Sequence, residues 1–266
     1  MPNTRLAGEL SAKILQTKKY RSVYEKTVQR VAADCLTKYP EKVAEKKARN
    51  ILHQIWGSYY RARPDFQKLF ARVKKDIESG KSVKEAVAPL LKIHSSTRER
   101  SAILNKFYAR IFALTGYPNF VIDVACGFNP LTFAWMNLPK KSHYFGVDID
   151  KEQNQFIESF FKLTENDQAS IGLADVLIDR LPAADVVFML KLLPSLEQQE
   201  KGSSLKVLKN QLAGYLVVSF PVKSLSGKKK GMADFYSQSF EDLIVNEPWK
   251  VEKLLFDSEL VFVIKK

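Results

Sequence analysis

Residues 120–130 read Phe-Val-Ile-Asp-Val-Ala-Cys-Gly-Phe-Asn-Pro. A run of β-formers ends in Asp123, small residues follow, and an Asn-Pro turn closes the segment. A strand that leaves a parallel sheet and turns tightly into a helix is written this way. Ala125 and Gly127 would let a ligand approach backbone N–H groups at the carboxyl end of that strand, where open α/β sheets bind nucleotides. About twenty residues on, Tyr144-Phe145-Gly146-Val147-Asp148 reads as a second strand whose closing acid suits ribose hydroxyls. Asp175, after Ile171-Gly172-Leu173-Ala174, offers a third carboxylate, able to accept the amino group of adenine; an exposed strand-end acid is the plainer reading. The loop holds one glycine where a dinucleotide fingerprint needs three, and no P-loop motif is present. The pattern suits a nucleoside without a pyrophosphate, such as S-adenosylmethionine (SAM), and competes with a plain strand–helix turn that uses Gly127 only for its geometry.

Other residues could act beside such a site. Lys191 leaves the apolar run Phe188-Met189-Leu190 at a strand end, where a buried ammonium without purpose is costly; a snorkelling structural lysine is the alternative. His94-Ser95-Ser96-Thr97-Arg98-Glu99-Arg100 is a dense polar heptad in which Arg98 or Arg100 has the fork to grip a carboxylate; otherwise it is a capped helix start. Residues 223–232, Lys-Ser-Leu-Ser-Gly-Lys-Lys-Lys-Gly-Met, form a glycine-punctuated basic loop. Lys223 and Lys228, Lys229 and Lys230 could clamp RNA phosphates there, and Phe235 and Tyr236 offer a surface for an extruded base. A solvated lysine loop is the bland reading. Histidines at 53, 94 and 143 lack metal-ligand spacing. Cys126 has no evident histidine partner, so it serves the loop rather than acting as a nucleophile.

The elements that must position these groups follow from periodicity. Helical spacing runs over 7–18, 24–39, 41–60, 83–93 and 98–114, with Ser96 and Thr97 as N-cap candidates for the last. After Pro118 the period changes to strands at 119–125, 143–149, 168–173, 184–190, 214–220, 249–256 and 258–265. Alternation with helices predicts an α/β, Rossmann-like parallel sheet, and the two closing strands predict an antiparallel hairpin at its edge. This is the seven-strand layout of SAM-dependent methyltransferases. A helical domain over 1–110 and a cofactor domain over 111–266 are expected.

The net charge of +13 lies entirely in the first hundred residues, which carry 23 Lys+Arg against 10 Asp+Glu; the rest of the chain balances at 19 against 19. That one-sided field is the footprint of a nucleic-acid docking surface or of a solvated basic face. No apolar run approaches the ~18 residues of a membrane span, and the first residues lack the apolar stretch of a signal peptide. With only Cys35 and Cys126, a cytoplasmic protein with reduced thiols is expected, a monomer by default.

Taken together, these residues resemble the 16S ribosomal RNA (guanine-N7)-methyltransferases that confer aminoglycoside resistance. The likeness runs through Lys18-Lys19-Tyr20-Arg21, Leu52-His53, Gly57-Ser58-Tyr59, the 94–100 heptad, Asp123 to Pro130, Phe188 to Pro194, Val218-Ser219-Phe220-Pro221, Lys223-Ser224-Leu225 and Gly231-Met232. The resemblance implies a basic helical domain docking on the 30S subunit, SAM as cofactor, and methylation of N7 of guanine 1405 in the decoding centre. By matching position it implies that Arg100 binds the SAM carboxylate. Tyr59, His94, Ser96, Ala125, Gly127 and Leu190 would line the site, with Asp148 and Ile149 at the ribose and Ala174, Asp175 and Val176 at the adenine. Lys191, Lys223, Met232 and Tyr236 would position the target base. Lys19, Arg49, Arg61, Arg63 and Lys68 would hold rRNA phosphates. No general base is implied, because guanine N7 is already a lone-pair nucleophile. Phe128 and Ala174 depart from the leucine and the polar residue that some relatives carry, which touches the adenine contacts. Competing readings are methylation at N1 of the decoding-site adenine, a small-molecule methyltransferase, and a non-catalytic ribosome-binding protein.

Overall fold

A computed structural model describes residues 4–57, 59–60, 62–222 and 231–266. Three helices open the chain: α1 (Thr4–Leu15), α2 (Glu25–Lys38) and α3 (Glu41–Leu52). Apolar residues recur on one face of each, as with Val28, Val31, Ala32 and Cys35 on α2 and Ala44, Ala48 and Leu52 on α3. These close a small core with Ile14, Tyr20, Val23 and Trp56. The helix expected to reach residue 60 stops at Leu52, and a π-helical turn, His53–Gly57, carries the chain onward.

Four more helices follow: α4 (Phe66–Glu78), α5 (Val83–Leu91), α6 (Ser95–Arg100) and α7 (Leu104–Thr115). Asp65 caps α4, and a reciprocal Ser82–Glu85 box caps α5, satisfying first-turn amides that have no partner within the helix. The single helix expected at 98–114 is two. Ser96 and Thr97 lie inside the first of them, because the Thr97 hydroxyl donates back to the Leu91 carbonyl at 2.8 Å instead of capping. His94 occupies the N-cap position.

Seven strands then alternate with helices. They are β1 (Phe120–Val124), β2 (His143–Asp148), β3 (Ala169–Leu173), β4 (Ala184–Leu190), β5 (Ala213–Pro221), β6 (Lys250–Leu255) and β7 (Glu259–Lys265). The intervening helices are α8 (Phe133–Met136), α9 (Lys151–Leu163), α10 (Leu193–Gln199), α11 (Ser203–Asn210) and α12 (Met232–Ile244). The strand order is β3-β2-β1-β4-β5-β7-β6. Strands β1 to β5 are parallel, and β7 enters antiparallel between β5 and the edge strand β6. The order reverses between β1 and β4, so their carboxyl ends flank the crevice where such sheets bind ligands.

Side chains alternate across the sheet. Val121, Val186 and Phe188 pack with α4, α5, α7 and α9 on one face. Ile122, Val187 and Met189 pack with α10, α11 and α12 on the other. Helices α4, α5 and α7 therefore share the core of the sheet, whereas α1 to α3 have a core of their own.

The segment joining α1 to α2 is stitched onto the carboxyl end of β2. The Tyr24 amide donates to the Ile149 carbonyl at 2.7 Å, and the Lys151 amide donates to the Ser22 carbonyl at 2.8 Å. Arg63 completes the seam. Its Nη1 donates to Asp150 Oδ2 at 2.8 Å, its Nη2 to Asp150 Oδ1 and Glu152 Oε2 at 2.9 Å, and its guanidinium lies over Trp56. Asp150 is buried and also accepts from Trp56 Nε1. Removing Arg63 leaves that carboxylate without its cation, a loss softened by solvent screening because Arg63 is partly exposed. Arg63→Ala should lower stability by ~2 kcal/mol in urea unfolding, and Arg63→Lys should restore little, since an ammonium cannot span both oxygens.

Candidate functional site

A cleft with about 940 Å³ of empty space, partly open to solvent, lies at the carboxyl ends of β1, β2 and β4. Its floor is built by the turn after β1, where Ala125 (φ 51°) and Gly127 (φ 52°) both take left-handed backbone conformations. This conformation aims the Gly127 amide at Asp148 Oδ2, 2.9 Å away, while the Asp150 amide donates to Asp148 Oδ1 at 3.2 Å. A Cβ on Gly127 would meet the His94 ring at 2.9 Å. That ring cannot step aside, being stacked between Tyr59 (5.3 Å between centroids) and Phe128 (5.7 Å). Burial, with Arg100 and Lys191 nearby, takes His94 down to about 3, so it is neutral at physiological pH.

Two carboxylates set the polarity, Asp123 buried and Asp148 half-buried. Burial pushes Asp148 and Asp123 each up to about 6. Asp123 Oδ2 accepts from Asn129 Nδ2 at 2.7 Å and from the Tyr144 hydroxyl at 2.6 Å, but Oδ1 has no partner among the described residues. Burial also pushes the Cys126 thiol well up, consistent with a loop residue rather than a nucleophile.

The base of the cleft is a buried charge network. Arg100 donates from Nε to Glu259 Oε2 at 3.0 Å, from Nη2 to Glu259 Oε1 at 2.6 Å and from Nη1 to Asn129 Oδ1 at 2.7 Å. Neither Arg100 nor Glu259 exposes any surface (0%). Burial alone would raise the Glu259 carboxyl; the Arg100 charge outweighs it and holds the carboxyl below its usual range. The fork expected to face a ligand carboxylate is thus already filled by a carboxylate of β7, and Arg100 meets the cleft with its remaining edge. Lys191, at φ 59°, places Nζ 2.6 Å from Glu99 Oε2 and 3.9 Å from Glu259 Oε2.

Every residue expected to line the cofactor site borders this one cleft: Tyr59, His94, Ser96, Arg100, Ala125 and Gly127 at one end, and Asp148, Ile149, Ala174, Asp175, Val176 and Leu190 along the other. Lys191 joins them, whereas Met232 and Tyr236 do not border it. Tyr236 instead lies on α12, stacked on Phe220 at 5.0 Å. Arg61, Lys223, Lys228, Lys229 and Lys230 fall outside the described residues. Lys19 borders a second groove with Lys18, Arg21 and Arg63. Arg49 pairs with Glu45 at 3.0 Å, and Lys68 is exposed at the start of α4, 3.6 Å from Asp65. Arg63, expected to hold rRNA phosphates, has its donors engaged inside the protein.

The sequence did not mark Glu259 and Glu99, the partners of Arg100 and Lys191, nor Thr27 and Arg30 of α2, which border the cleft. An acid opening the apolar run of β7 was a usable signal for Glu259; nothing local pointed to the other three.

Four residues that border the cleft each carry a buried polar atom with no partner among the described residues: Thr27 Oγ1, His94 Nδ1, Asp123 Oδ1 and Gln153 Nε2. Buried polar groups are normally satisfied, so this constellation fits a polar ligand carrying donors and acceptors of its own. Among the described residues no cluster has the makings of a metal site.

Parallel strands, a reversed seventh strand and a cleft at the switch point define the fold of the SAM-dependent methyltransferases. The chain matches the family model "Ribosomal RNA methyltransferase (FmrO)" over residues 16–263 and belongs to that family. It is 33% identical over 260 residues to a 16S rRNA (guanine(1405)-N(7))-methyltransferase of Frankia casuarinae, covering 95% of this chain and 91% of that one. A protein of the same name from Micromonospora echinospora is 34% identical, with 100% and 98% covered. Among solved structures, the 16S rRNA methyltransferase RmtF in complex with S-adenosyl-L-homocysteine superposes with a TM-score of 0.84 at 30% identity, over 98% of both chains. The 16S rRNA methylase RmtB gives 0.78 at 28%, over 100% and 99%.

Because Gly127 combines a left-handed backbone with contact to a trapped ring, Gly127→Ala should cost about 2 kcal/mol. Chemical unfolding of the two proteins checks this.

Proposed function

We propose that this protein transfers a methyl group from SAM to N7 of guanine 1405 in the 16S rRNA of the 30S subunit, giving resistance to aminoglycosides. The observation that carries the reading is the cleft itself: two withdrawn acids, a close-approach glycine turn and four residues with an unpartnered polar atom gather at the switch point of a chain in the rRNA methyltransferase family. When bound, SAM supplies an electrophilic methyl on a sulfonium. The ionised Asp148 would accept from ribose hydroxyls, Asp123 Oδ1 from the ligand's ammonium, and Asp175 from the adenine amino group. Ala125, Ile149, Ala174, Val176 and Leu190 would exclude water around the adenosine.

Guanine N7 attacks with its own lone pair, so the protein's work is positioning and tolerating the positive charge left on the ring. Lys191 would set the approach of the base from the cleft, with Lys223, Met232 and Tyr236 holding it beyond. The base would leave its helix to be reached, because N7 faces the deep, narrow groove of A-form RNA. The basic surface of residues 1–110, with Lys18, Lys19, Arg21 and Lys68 foremost, would dock rRNA phosphates. No helix among the described residues is long and apolar enough to cross a membrane; we propose a monomer working in the cytoplasm.

Labelled SAM and purified 30S subunits, followed by borohydride–aniline cleavage, should give a break at guanine 1405. Label at the decoding-site adenine N1 would keep the enzyme class and overturn the target, and no label would overturn both. Cells expressing the protein should resist 4,6-disubstituted deoxystreptamines and stay sensitive to apramycin. The raised carboxylates also set a pH dependence. Asp148 and Asp123 accept hydrogen bonds fully only when ionised, above about 6, so S-adenosylhomocysteine affinity should fall about tenfold between pH 7.5 and 5.0. In calorimetric titration Asp148→Asn should bind more weakly at pH 7.5 and show a flatter profile.

A further inference from the structure

The far end of the cleft is closed by a helix of the basic amino-terminal region, not by the sheet or its crossovers. Arg30 of α2 reaches across 145 residues of sequence to Asp175: its Nε donates to Oδ2 at 3.0 Å, and its Nη2 sits 2.9 Å from the same oxygen. The same Nη2 donates to Gln199 Oε1 at 2.8 Å, on the last turn of α10. Gln199 is itself anchored, its Nε2 donating to the Ser195 carbonyl at 3.1 Å. The other acid near Arg30, Asp34, stands off at 3.9 Å. One turn before Arg30, the buried Thr27 borders the same cleft and carries a hydroxyl with no partner among the described residues.

The seat of Asp175 is almost fully specified. Its Oδ1 accepts the Leu177 amide at 3.0 Å, and its own amide donates to Asp179 Oδ2 at 3.0 Å. Asp179 is in turn held by Lys26 of α2 at 2.9 Å. A carboxylate accepts about four hydrogen bonds; Arg30 takes one oxygen, and the turn takes half of the other. One lone pair of Oδ1 is left to meet a donor from the cleft.

We propose that Arg30 is a positioning residue for the adenine: it clamps Asp175 and Gln199 so that Asp175 can take the adenine amino group, which makes helix α2 one wall of the cofactor site. This rests on the cleft's being the SAM site. A free carboxylate on the turn at 175–179 would rotate and accept from water; a clamped one discriminates for an amino group and against a carbonyl at the same position of the purine. Cofactor selectivity is thereby coupled to the seating of the helix that belongs to the RNA-docking region.

The test measures the ratio of affinities for S-adenosylhomocysteine and S-inosylhomocysteine, which carries a carbonyl where adenine has its amino group, by calorimetry on the full chain. Wild type should bind the adenosyl ligand and prefer it at least tenfold. In Arg30→Ala that preference should collapse to threefold or less, with the unfolding midpoint confirming a folded protein. Should Arg30→Ala not fold, Arg30→Lys is read instead; it keeps the charge but cannot span Asp175 and Gln199 together, and should show an intermediate ratio. An unchanged ratio, even with both ligands bound more weakly, would make Arg30 only a structural tie and overturn the proposal. Wild type that binds neither ligand would overturn the SAM reading of the cleft, and this proposal with it.

Discussion

The Arg100–Glu259 ion pair holds the site end of the molecule together. Both side chains are wholly withdrawn from water, where each charge would be costly alone. They are tolerable together because the fork meets the carboxylate through two hydrogen bonds and the leftover valences are used. Asn129 takes Arg100 Nη1, the Ser219 hydroxyl donates to Glu259, and Lys191 stands close by. The pair therefore pins α6, the turn after β1, the ends of β4 and β5, and the first residue of β7 to a single point. The antiparallel insertion of β7 beside β5 is what brings Glu259 level with Pro221 at the carboxyl edge, two residues past Ser219. A parallel seventh strand would begin at the opposite edge of the sheet.

Around that point the chain stores strain where a ligand is to be received. Ala125 and Lys191, both non-glycine residues, adopt left-handed backbone at the ends of β1 and β4. Such conformations persist only where surroundings over-determine them. For Lys191 the overriding contacts are its amide bond to the Ser219 carbonyl at 3.0 Å and its ammonium bond to Glu99. For Ala125 the neighbouring Cys126 amide is held by the Val147 carbonyl at 3.0 Å. The aromatic stack of Tyr59, His94 and Phe128 then fixes the opposite wall, and only glycine at 127 leaves room for it.

The helical region enters this frame as a structural part. Backbone bonds at Tyr24 and Lys151, the Arg63 clamp on Asp150, and the Arg30 and Lys26 contacts to the turn after β3 all lie along one seam. An excess of positive charge confined to the first hundred residues is thus spent in two ways. Arg30 and Arg63 are engaged as ties to carboxylates of the sheet domain, while Lys18 and Lys19 border the second groove and Lys68 is exposed at the start of α4.

By itself the sequence determined the seven strands and where the carboxyl ends of the first ones must gather; it did not mark α4, the break after Leu52 or the division of the 98–114 helix. Strand boundaries fell within one residue because β-branched runs broken by glycine, proline and acids leave little freedom, and the reversed closing pair followed from two adjacent strands too short-linked for a crossover. The acids at 123, 148 and 175 and the glycine at 127 were legible for the same reason: strand-end position in a parallel sheet already says where a side chain must be. What the tertiary structure alone decided was which charges meet. Arg100 finds Glu259 across 159 residues and Arg30 finds Asp175 across 145. Arg100, read from the sequence as a ligand clamp, and Arg30, which no sequence motif singled out, are both internal partners. Pairing of distant ions depends on the depth at which the fold buries them, where an unpaired charge is far more costly than in water, and no local pattern records that depth.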